Sequence, residues 1–382
     1  MVDISKIVQD AVQTALGRGE IGVQVAAYVN GELVADVWGG LADKATVRKV
    51  DGDTLFPVFS VTKAVTATAL HIQAERGLID YEQPISRYWP EFGARGKDKA
   101  TIRDALTHRA GIPLMPSGVT PEHMCDWEWM VDQLARMEPV FEPGTTSAYH
   151  SYTFGWIIAE CVRRTDPKER PFSRFVQEEI GAPLGIDNLF LGIPDGVEPR
   201  IAQLTNLPPP APGTPPPGPL RMGAIPLQVG VVEEVFGRPD VRRACIPGAG
   251  GIMNARSEAR FFAMLANGGQ LGGVRLLSEE RVRSFSTPRR NPDEVDRVLA
   301  RVLNLGISGF HLGGQSPPAP PVIGSNPHTI SHPGAGGSIG WADPDARLAV
   351  AICHNRMFDA QSPQDCPLQP IGDAIRKALG VN

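Results

Sequence analysis

The sequence predicts an α/β fold in which helices flank an antiparallel sheet and a mainly helical domain is inserted between the two halves of that sheet. Near the start, β-rich runs at residues 22–29 and 32–38 are joined by an Asn-Gly pair, the strongest short signal for a β-hairpin. Near the end, apolar strands within residues 328–355 precede a closing helix near 368–379. Both chain ends are therefore expected on one sheet.

The remaining elements divide the chain into two predicted domains. A helix over residues 3–18 precedes the first strand, and the segment between the early and late strands is mostly helix and loop. We therefore predict a discontinuous sheet domain formed by residues 1–85 together with residues 325–382. Residues 86–324 are predicted to form a mainly helical domain with loops.

Composition and charge are those of an ordinary globular protein, and they exclude several kinds of partner. Of the 382 residues, 42% are hydrophobic and 21% are charged, and a chain of this length can bury a sizeable core. The net charge of −5 gives no basic footprint for nucleic acid or for an anionic membrane. The oligomeric state is left open.

Neither the amino terminus nor the cysteines indicate secretion or a metal site. Residues 1–12 have an amphipathic helix pattern that contains acids, without the basic region, apolar core and cleavage site of a signal peptide. No apolar run is long enough to span a bilayer. The five cysteines include no Cys-x-x-Cys pair, which favours a reducing compartment. We therefore predict a cytoplasmic protein without a metal or a cofactor.

A serine and a lysine three residues apart lie where an extended segment turns into a helix. Pro57 prevents a helix before it, whereas residues 64–76 carry apolar groups at helical spacing. Ser60 and Lys63 then share one face of the first turn, where an ammonium reaches a hydroxyl and unpaired amides stabilise negative charge. This arrangement suits an activated serine nucleophile, although most serines at helix starts are only caps.

A second candidate element lies in a loop before an apolar helix. Tyr149-His150-Ser151 follows a Pro-Gly turn and precedes the helix that begins near Trp156. A phenol beside the ammonium of Lys63 is expected to ionise more readily, and the phenolate can take the serine proton. The alternative is a buried tyrosine that packs its ring and bonds its hydroxyl locally.

A glycine-rich segment forms the third candidate element. It runs from His332 through Gly334, Ala335 and Gly336 to Trp341, ahead of a late apolar strand. Glycines in that number let backbone amides approach a ligand closely. The alternative is a mobile glycine loop.

In this order, the three elements resemble the motifs of the serine β-lactamase and penicillin-binding protein superfamily, which are Ser-x-x-Lys, Tyr-x-Asn/Ser and Lys-Thr-Gly or His-x-Gly. The likeness is greatest to family VIII carboxylesterases and class C β-lactamases. It extends over nearly the whole chain and includes residues 77–80, 84–92, 101–112 and 250–257. The resemblance implies a β-lactamase-like fold.

The same resemblance implies a role for several motif residues. Ser60 is the residue that is acylated, and Lys63 and Tyr149 together act as the general base. The backbone amides of Ser60 and Ala335 form the oxyanion hole, which is usually the largest single contribution to acyl transfer. Ser151, the third residue of the tyrosine motif, contacts the substrate.

The remaining candidates lie beside these positions. His150 follows Tyr149 directly, and His332 opens the glycine-rich segment, so we expect both histidines at the cleft. Together with Gly334 and Gly336 they complete the predicted substrate-binding residues.

The recognition element departs from the β-lactamase pattern. His332-Pro333-Gly334 stands where those enzymes have Lys-Thr-Gly, so the fixed positive charge and the hydroxyl that hold a lactam carboxylate are missing. A histidine is mostly neutral at pH 7, and a proline side chain donates nothing. A neutral ester or small acyl compound is therefore favoured over a penicillin, unless an arginine elsewhere in the cleft supplies the charge.

A competing serine motif lies inside the third element. Residues 336–340 satisfy Gly-x-Ser-x-Gly, the nucleophile elbow of α/β-hydrolases, with Ser338 as the nucleophile. That elbow follows a buried strand, opens a helix, and is followed along the chain by an acid and then a histidine. Here no buried strand precedes it, residues 341–345 start a turn, and only His354 follows. We therefore favour Ser60.

The sequence thus predicts a serine hydrolase that acts on carboxylic esters of short acyl chains through an acyl-enzyme intermediate. Its one predicted partner is the small-molecule ester. On the same site, the alternatives are a β-lactamase or D-aminopeptidase, and an acyltransferase that passes the acyl group to an alcohol. The alternative from another class is a catalytically silent binding or assembly protein with the same fold.

Overall fold

The computed structural model describes residues 3–210, 213–314, 321–358 and 365–381. The strands of these residues are β1 (Gly22–Val29), β2 (Glu32–Asp43), β3 (Arg48–Lys49), β4 (Phe56–Phe59), β5 (Leu189–Leu191), β6 (Gly251–Met253), β7 (Gln270–Leu271), β8 (Val274–Arg275), β9 (Val295–Asp296), β10 (Arg301–Val302), β11 (His311–Leu312), β12 (Ile330–Pro333), β13 (Ile339–Asp343) and β14 (Leu348–His354). The helices are α1 (Ile4–Gly17), α2 (Thr62–Glu75), α3 (Ile102–Leu106), α4 (Pro121–Cys125), α5 (Trp127–Arg136), α6 (Thr153–Thr165), α7 (Phe172–Val176), α8 (Ala182–Leu184), α9 (Pro219–Ala224), α10 (Glu233–Phe236), α11 (Pro239–Arg243), α12 (Ala255–Ala266), α13 (Glu279–Ser284) and α14 (Gln369–Leu379).

Seven strands form the main sheet, in the order β11-β12-β13-β14-β1-β2-β3, and all neighbours are antiparallel. The β1–β2 connection is the predicted hairpin. Asn30 and Gly31 have φ angles of +51° and +84°, the left-handed values that a tight primed turn requires. Strand β14 pairs with β1, with Ile352 opposite Val25. Both chain ends therefore lie on one sheet, and the predicted α/β class with an antiparallel sheet is confirmed.

Alternation along β1 divides the sheet into two apolar faces. Val23, Val25 and Ala27 pack with buried residues of α1 and α14 on one face. Ala26 and Tyr28 belong to the large core on the other face. Successive side chains of a strand point to opposite faces, so this division follows from the sequence. Helices α1 and α14 also pack on each other, which ties the two ends of the chain together.

Helix α12 covers the second face of the sheet and packs against β1, β13 and β14. The side chain of Asn254 accepts a hydrogen bond from the Ser257 amide and caps the helix start. Phe261, Phe262 and Leu265 are among its buried residues. By sequence this helix falls in the predicted helical domain, and by packing it belongs to the sheet. The division of the chain into two domains stays a prediction.

Helix α2 forms the centre of the large core. Every residue from Thr62 to Ala74 is buried, and the helix packs against α6. A small three-stranded sheet in the order β4-β6-β5 leads into it. The helix predicted over residues 64–76 is thus observed, with its start two residues earlier. Helices in the buried core are the last parts of a protein to unfold locally, so α2 holds the side chains of its first turn firmly in place.

Candidate active site

Ser60 lies half-buried in the turn between β4 and α2. Phe59, the last residue of β4, has a φ of +46°, a left-handed value that costs a bulky residue on the order of 1–3 kcal/mol. Its backbone pairs with Gly251 of β6, and its ring meets that of Phe236 edge-on with 5.1 Å between centroids. Strand pairing and ring packing therefore hold the strained backbone that places Ser60 at the helix start.

The amine of Lys63 lies against Ser60 in the interior of the protein. Its Nζ is 2.8 Å from the Oγ of Ser60 and 2.7 Å from the carbonyl oxygens of Ser151 and Gly248. Lys63 is fully buried, and burial lowers its pKa to about 7. A large share of the amine is therefore uncharged at neutral pH.

The three neighbours of Nζ determine where the lone pair of the uncharged amine points. Carbonyl oxygens only accept hydrogen bonds, so those of Ser151 and Gly248 take the two N–H groups. The lone pair then remains for the third neighbour, the Ser60 hydroxyl, which can donate its proton. The arrangement presents a base to that proton at hydrogen-bond distance.

Tyr149 joins Ser60 and Lys63, but as a neutral phenol. Its phenol lies close enough to the Ser60 side chain for Ser60 to lower the pKa of Tyr149, and the Nζ of Lys63 lies 5.2 Å from the centroid of the Tyr149 ring. Burial raises the pKa of Tyr149 to about 12, and the opposing effect of Ser60 offsets this only in part. The expectation that the ammonium turns Tyr149 into a phenolate is therefore wrong. Burial disfavours the charged form of both groups, so the pair rests as amine and phenol.

Ser151 reaches the site through its backbone as well as its side chain. Its carbonyl oxygen accepts the bond from Lys63, while its buried hydroxyl has no partner among the described residues. The carbonyl contacts of Ser151 and Gly248 were not predicted, because every residue type carries a carbonyl and the sequence holds no signal for this use. The predicted contact of Ser151 with substrate stays a prediction, for which its hydroxyl is available.

The glycine-rich segment turns between β12 and β13 beside the strand that leads to Ser60. The Gly334 amide donates to the Ser338 carbonyl at 2.7 Å, and a side chain at position 334 would collide with the carbonyl oxygen of Val58. Glycine thus permits the close approach of turn and strand. Across the described ranges, the amides of Ser60 and Ala335 donate no hydrogen bond, so both are available for the predicted oxyanion hole.

Gly336 shapes the same turn. Its φ is +85°, and a side chain there would collide with Met357. Its carbonyl oxygen accepts a hydrogen bond from the Phe358 amide at 3.2 Å. Turn geometry and packing account for glycine at this position, and its contact with substrate stays a prediction.

His150 and His332 are completely buried rather than exposed at the surface of a cleft. The Nδ1 atom of His150 bonds the Ala148 carbonyl at 2.6 Å, and that of His332 bonds the Pro333 carbonyl at 3.0 Å. Burial lowers the pKa of His150 to about 4 and that of His332 well below its ordinary value. Position 332 therefore supplies no cation at pH 7. Substrate contact by either histidine stays a prediction.

Two further histidines join this cluster. The ring of His108 lies 4.4 Å from that of Tyr149, and its Nδ1 accepts a bond from the His150 amide at 3.1 Å. His311 meets His332 edge-on, with 5.0 Å between ring centroids. Burial lowers the pKa of His311 to about 3 and that of His108 well below its ordinary value. No spacing along the chain links these residues, so sequence reasoning missed them.

The competing serine motif has a different environment. Ser338 is buried, and its Oγ accepts a hydrogen bond from the His354 amide at 3.2 Å. Strand β13 follows it, where a nucleophile elbow requires a helix. The structure therefore excludes an elbow at this position.

Neither a metal-binding cluster nor a membrane-spanning helix is found among the residues that the structure describes. They contain no group of three or more His, Cys, Asp or Glu side chains that could hold a metal ion. They also contain no helix that is both long and apolar enough to cross a membrane.

Comparison with known families decides the affiliation of the chain. The family model described as Beta-lactamase matches residues 6–369. The chain belongs to the beta-lactamase family. This beta-lactamase-family chain is 37% identical over 351 residues to Esterase/beta-lactamase LipL of Mycobacterium tuberculosis, a match that covers 90% of this chain and 79% of the relative.

Two solved structures are similar to this protein along nearly the whole chain. A family VIII carboxylesterase is 30% identical with a TM-score of 0.89, covering 99% of this chain and 98% of the other. A penicillin-binding protein homolog from Caulobacter crescentus is 30% identical with a TM-score of 0.86 at the same coverage. The predicted family, the β-lactamase-like fold and the prediction of an esterase/β-lactamase-fold serine hydrolase are thereby confirmed.

Proposed function

We propose that this protein hydrolyses carboxylic esters of short acyl chains through an acyl-enzyme intermediate on Ser60. The observation that carries the proposal is the buried Lys63 amine, 2.8 Å from the Ser60 Oγ, with carbonyl oxygens at its other two contacts. An uncharged amine in that place takes the serine proton as the oxygen attacks the ester carbonyl. The Ser60 and Ala335 amides then stabilise the oxyanion.

Tyr149 supplies the proton for the leaving group. Its phenol donates a proton to the departing alkoxide and recovers one from the Lys63 ammonium, so the alcohol leaves and the serine ester remains. Water then attacks the acyl carbon and gives its proton to the Lys63 amine. The Ser60 oxygen leaves and takes a proton from the Lys63 ammonium, which regenerates the serine hydroxyl and the uncharged amine. Ester and water are consumed, and acid and alcohol are formed.

The side chains of His332 and Pro333 favour neutral esters over β-lactams. His332 is buried and neutral, and Pro333 has no hydroxyl, so neither holds a lactam carboxylate. Arg301 is exposed and acts electrostatically on Tyr149, which makes it the candidate for that contact. Apolar side chains pack around Tyr149, among them Ala224 of α9, and suit a small acyl group.

β-Lactam hydrolysis is the second candidate function. The name of the Mycobacterium tuberculosis relative includes both esterase and β-lactamase, and that relative shares 37% identity with this chain. The fold and the nucleophile would be the same in either case. The two candidates differ in how strongly the site binds a carboxylate beside the reacting carbonyl.

A series of p-nitrophenyl esters of increasing acyl length, measured beside nitrocefin, separates the candidates. We expect the largest kcat/KM for short acyl chains. The kcat/KM for p-nitrophenyl butyrate should exceed that for nitrocefin. The missing charge-assisted bond contributes about 1.5–3 kcal/mol, so its absence weakens recognition of a lactam carboxylate by about 10- to 100-fold. A larger value for nitrocefin would make the protein a β-lactamase, and Arg301→Ala would then show whether Arg301 holds the carboxylate.

Two additions to the same assay address the remaining alternatives. Product analysis with an added alcohol measures how much acyl group is transferred rather than hydrolysed. A fluorescent fluorophosphonate labels an active serine even if no test substrate fits. A folded protein with neither turnover nor label would be a silent binding or assembly protein.

A further inference from the structure

The loop that carries Tyr149 is held by a carboxylate outside the three motifs. The Tyr149 amide donates to the Oδ1 of Asp296 at 3.1 Å, and the Ser147 hydroxyl donates to its Oδ2 at 2.9 Å. The amide of Arg297 donates to the Ser147 carbonyl at 2.9 Å. Asp296 is fully buried. These hydrogen bonds therefore fix the backbone that carries the Tyr149 phenol.

The same carboxylate fixes its own turn between β9 and β10. Its Oδ1 accepts hydrogen bonds from the amides of Val298 and Leu299, both at 3.0 Å. With the bonds from Tyr149 and Ser147, the carboxylate of Asp296 has four donors, about as many as its oxygens can accept. The turn and the Tyr149 loop are thus locked to one another through a single side chain.

A buried arginine balances this charge. The Nη1 of Arg289 donates to the Ser147 Oγ at 2.6 Å, so the Ser147 hydroxyl bridges Arg289 and Asp296. The Ser147 amide donates to Glu294 at 2.9 Å, and Glu294 pairs with Arg109. Buried charges are costly to desolvate, and a network of this kind rigidifies the segment that it crosses.

We propose that Asp296 is a positioning residue for the reaction, which by holding the Tyr149 amide sets the direction in which the phenol meets Ser60. The inference rests on the proposed function, because it assigns Tyr149 a proton transfer at Ser60. Asp296 acts only through Tyr149. Its negative charge also raises the pKa of Tyr149, in the same direction as burial, which is the larger cause. The carboxylate therefore favours the protonated phenol that the leaving alkoxide needs.

The chain offers a matched control carboxylate. Asp343 is buried, and its Oδ1 accepts hydrogen bonds from the amides of Asp345 at 3.0 Å and Ala346 at 3.1 Å. It ends β13, at the opposite end of that strand from the glycine-rich segment. Asp343→Ala removes a turn-forming carboxylate of the same kind without touching the Tyr149 loop.

The kinetic test compares Asp296→Ala with Asp343→Ala. We expect Asp296→Ala to lower kcat for p-nitrophenyl butyrate by about 100-fold per folded molecule, the usual effect of a misplaced catalytic group. Asp343→Ala should keep the wild-type kcat per folded molecule. Asp296→Asn retains an oxygen for the Tyr149 amide and should recover most of the loss. Equal kcat values for Asp296→Ala and Asp343→Ala would overturn the proposal.

A spectroscopic test remains informative even if Asp296→Ala does not fold. In protein labelled with 13C at the tyrosine ring carbon that bears the hydroxyl, Tyr149→Phe assigns the Tyr149 resonance. Asp296→Asn should shift its titration to lower pH, because the neighbouring negative charge is gone. An unchanged titration of Tyr149 in Asp296→Asn would overturn the proposal. Ester turnover by a folded Ser60→Ala variant would instead overturn the proposed function.

Discussion

The Nζ of Lys63 and the carbonyl oxygen of Ser151 lie 2.7 Å apart, although 88 positions separate the two residues along the chain. This hydrogen bond joins the helix start that carries Ser60 to the loop that carries Tyr149. The same nitrogen lies 2.8 Å from the Ser60 Oγ. The buried amine of Lys63 therefore holds the helix start and the Tyr149 loop together, and it also contacts the Ser60 hydroxyl.

Replacing either Lys63 or Tyr149, which together act as the general base, should nearly abolish ester turnover. Lys63→Ala and Tyr149→Phe each remove one half of a shared proton path, and we expect each to lower kcat by about 10²- to 10⁴-fold. The double variant should be scarcely worse than either single variant, because residues that act as a unit lose nearly everything singly. Steady-state kinetics of all four forms, with circular dichroism as the folding control, measures this. Cleanly multiplicative losses would show separate proton paths.

Ester turnover should rise as the pH increases through about 7. Burial lowers the pKa of Lys63 to about 7, so below that pH the amine is protonated and cannot accept the serine proton, and above it the amine is a base. Burial raises the pKa of Tyr149 to about 12, so the phenol stays protonated and no alkaline loss is expected between pH 8 and pH 10.

The measurement is kcat/KM for p-nitrophenyl butyrate from pH 5 to pH 10, corrected for spontaneous hydrolysis. Lys63→Arg is the control, since a guanidinium stays charged throughout this range and should be inactive at every pH. A wild-type rate that falls between pH 6 and pH 8 would contradict an uncharged lysine as the base.

Local chemistry explains what the sequence could predict. The Asn30-Gly31 turn and the alternation along β1 depend on neighbours in the chain, so the hairpin and its two faces follow from them. Ser60 and Lys63 are three residues apart on one helix, so their contact was also local. These local features were sufficient to predict the fold class and the contact between Ser60 and Lys63.

The features that sequence reasoning missed arise only when distant segments meet. Gly248 contributes a carbonyl, and Asp296 and His108 contribute buried side chains without any shared spacing. The predicted phenolate failed for a related reason. Burial is a property of the assembled core, and at Tyr149 it outweighs the effect of neighbouring groups.

The oxyanion hole can be tested by removing one amide hydrogen. Ala335→Pro lacks the N–H group and should lower kcat for ester hydrolysis by about 10²- to 10³-fold. Ala335→Ser keeps that group and should retain the activity of the wild type. Thermal unfolding of both variants checks that the turn after β12 still folds. Full activity of a folded Ala335→Pro variant would remove Ala335 from the oxyanion hole.

The position of the covalent adduct tests the central claim most directly. After reaction with a fluorophosphonate, peptide mass spectrometry should place the adduct on Ser60, and Ser60→Ala should lose both the label and ester turnover. Ser338→Ala should retain both, because the Ser338 hydroxyl is bound to the backbone of His354. An adduct on Ser338, or ester turnover by a folded Ser60→Ala variant, would contradict the assignment of Ser60 as the nucleophile.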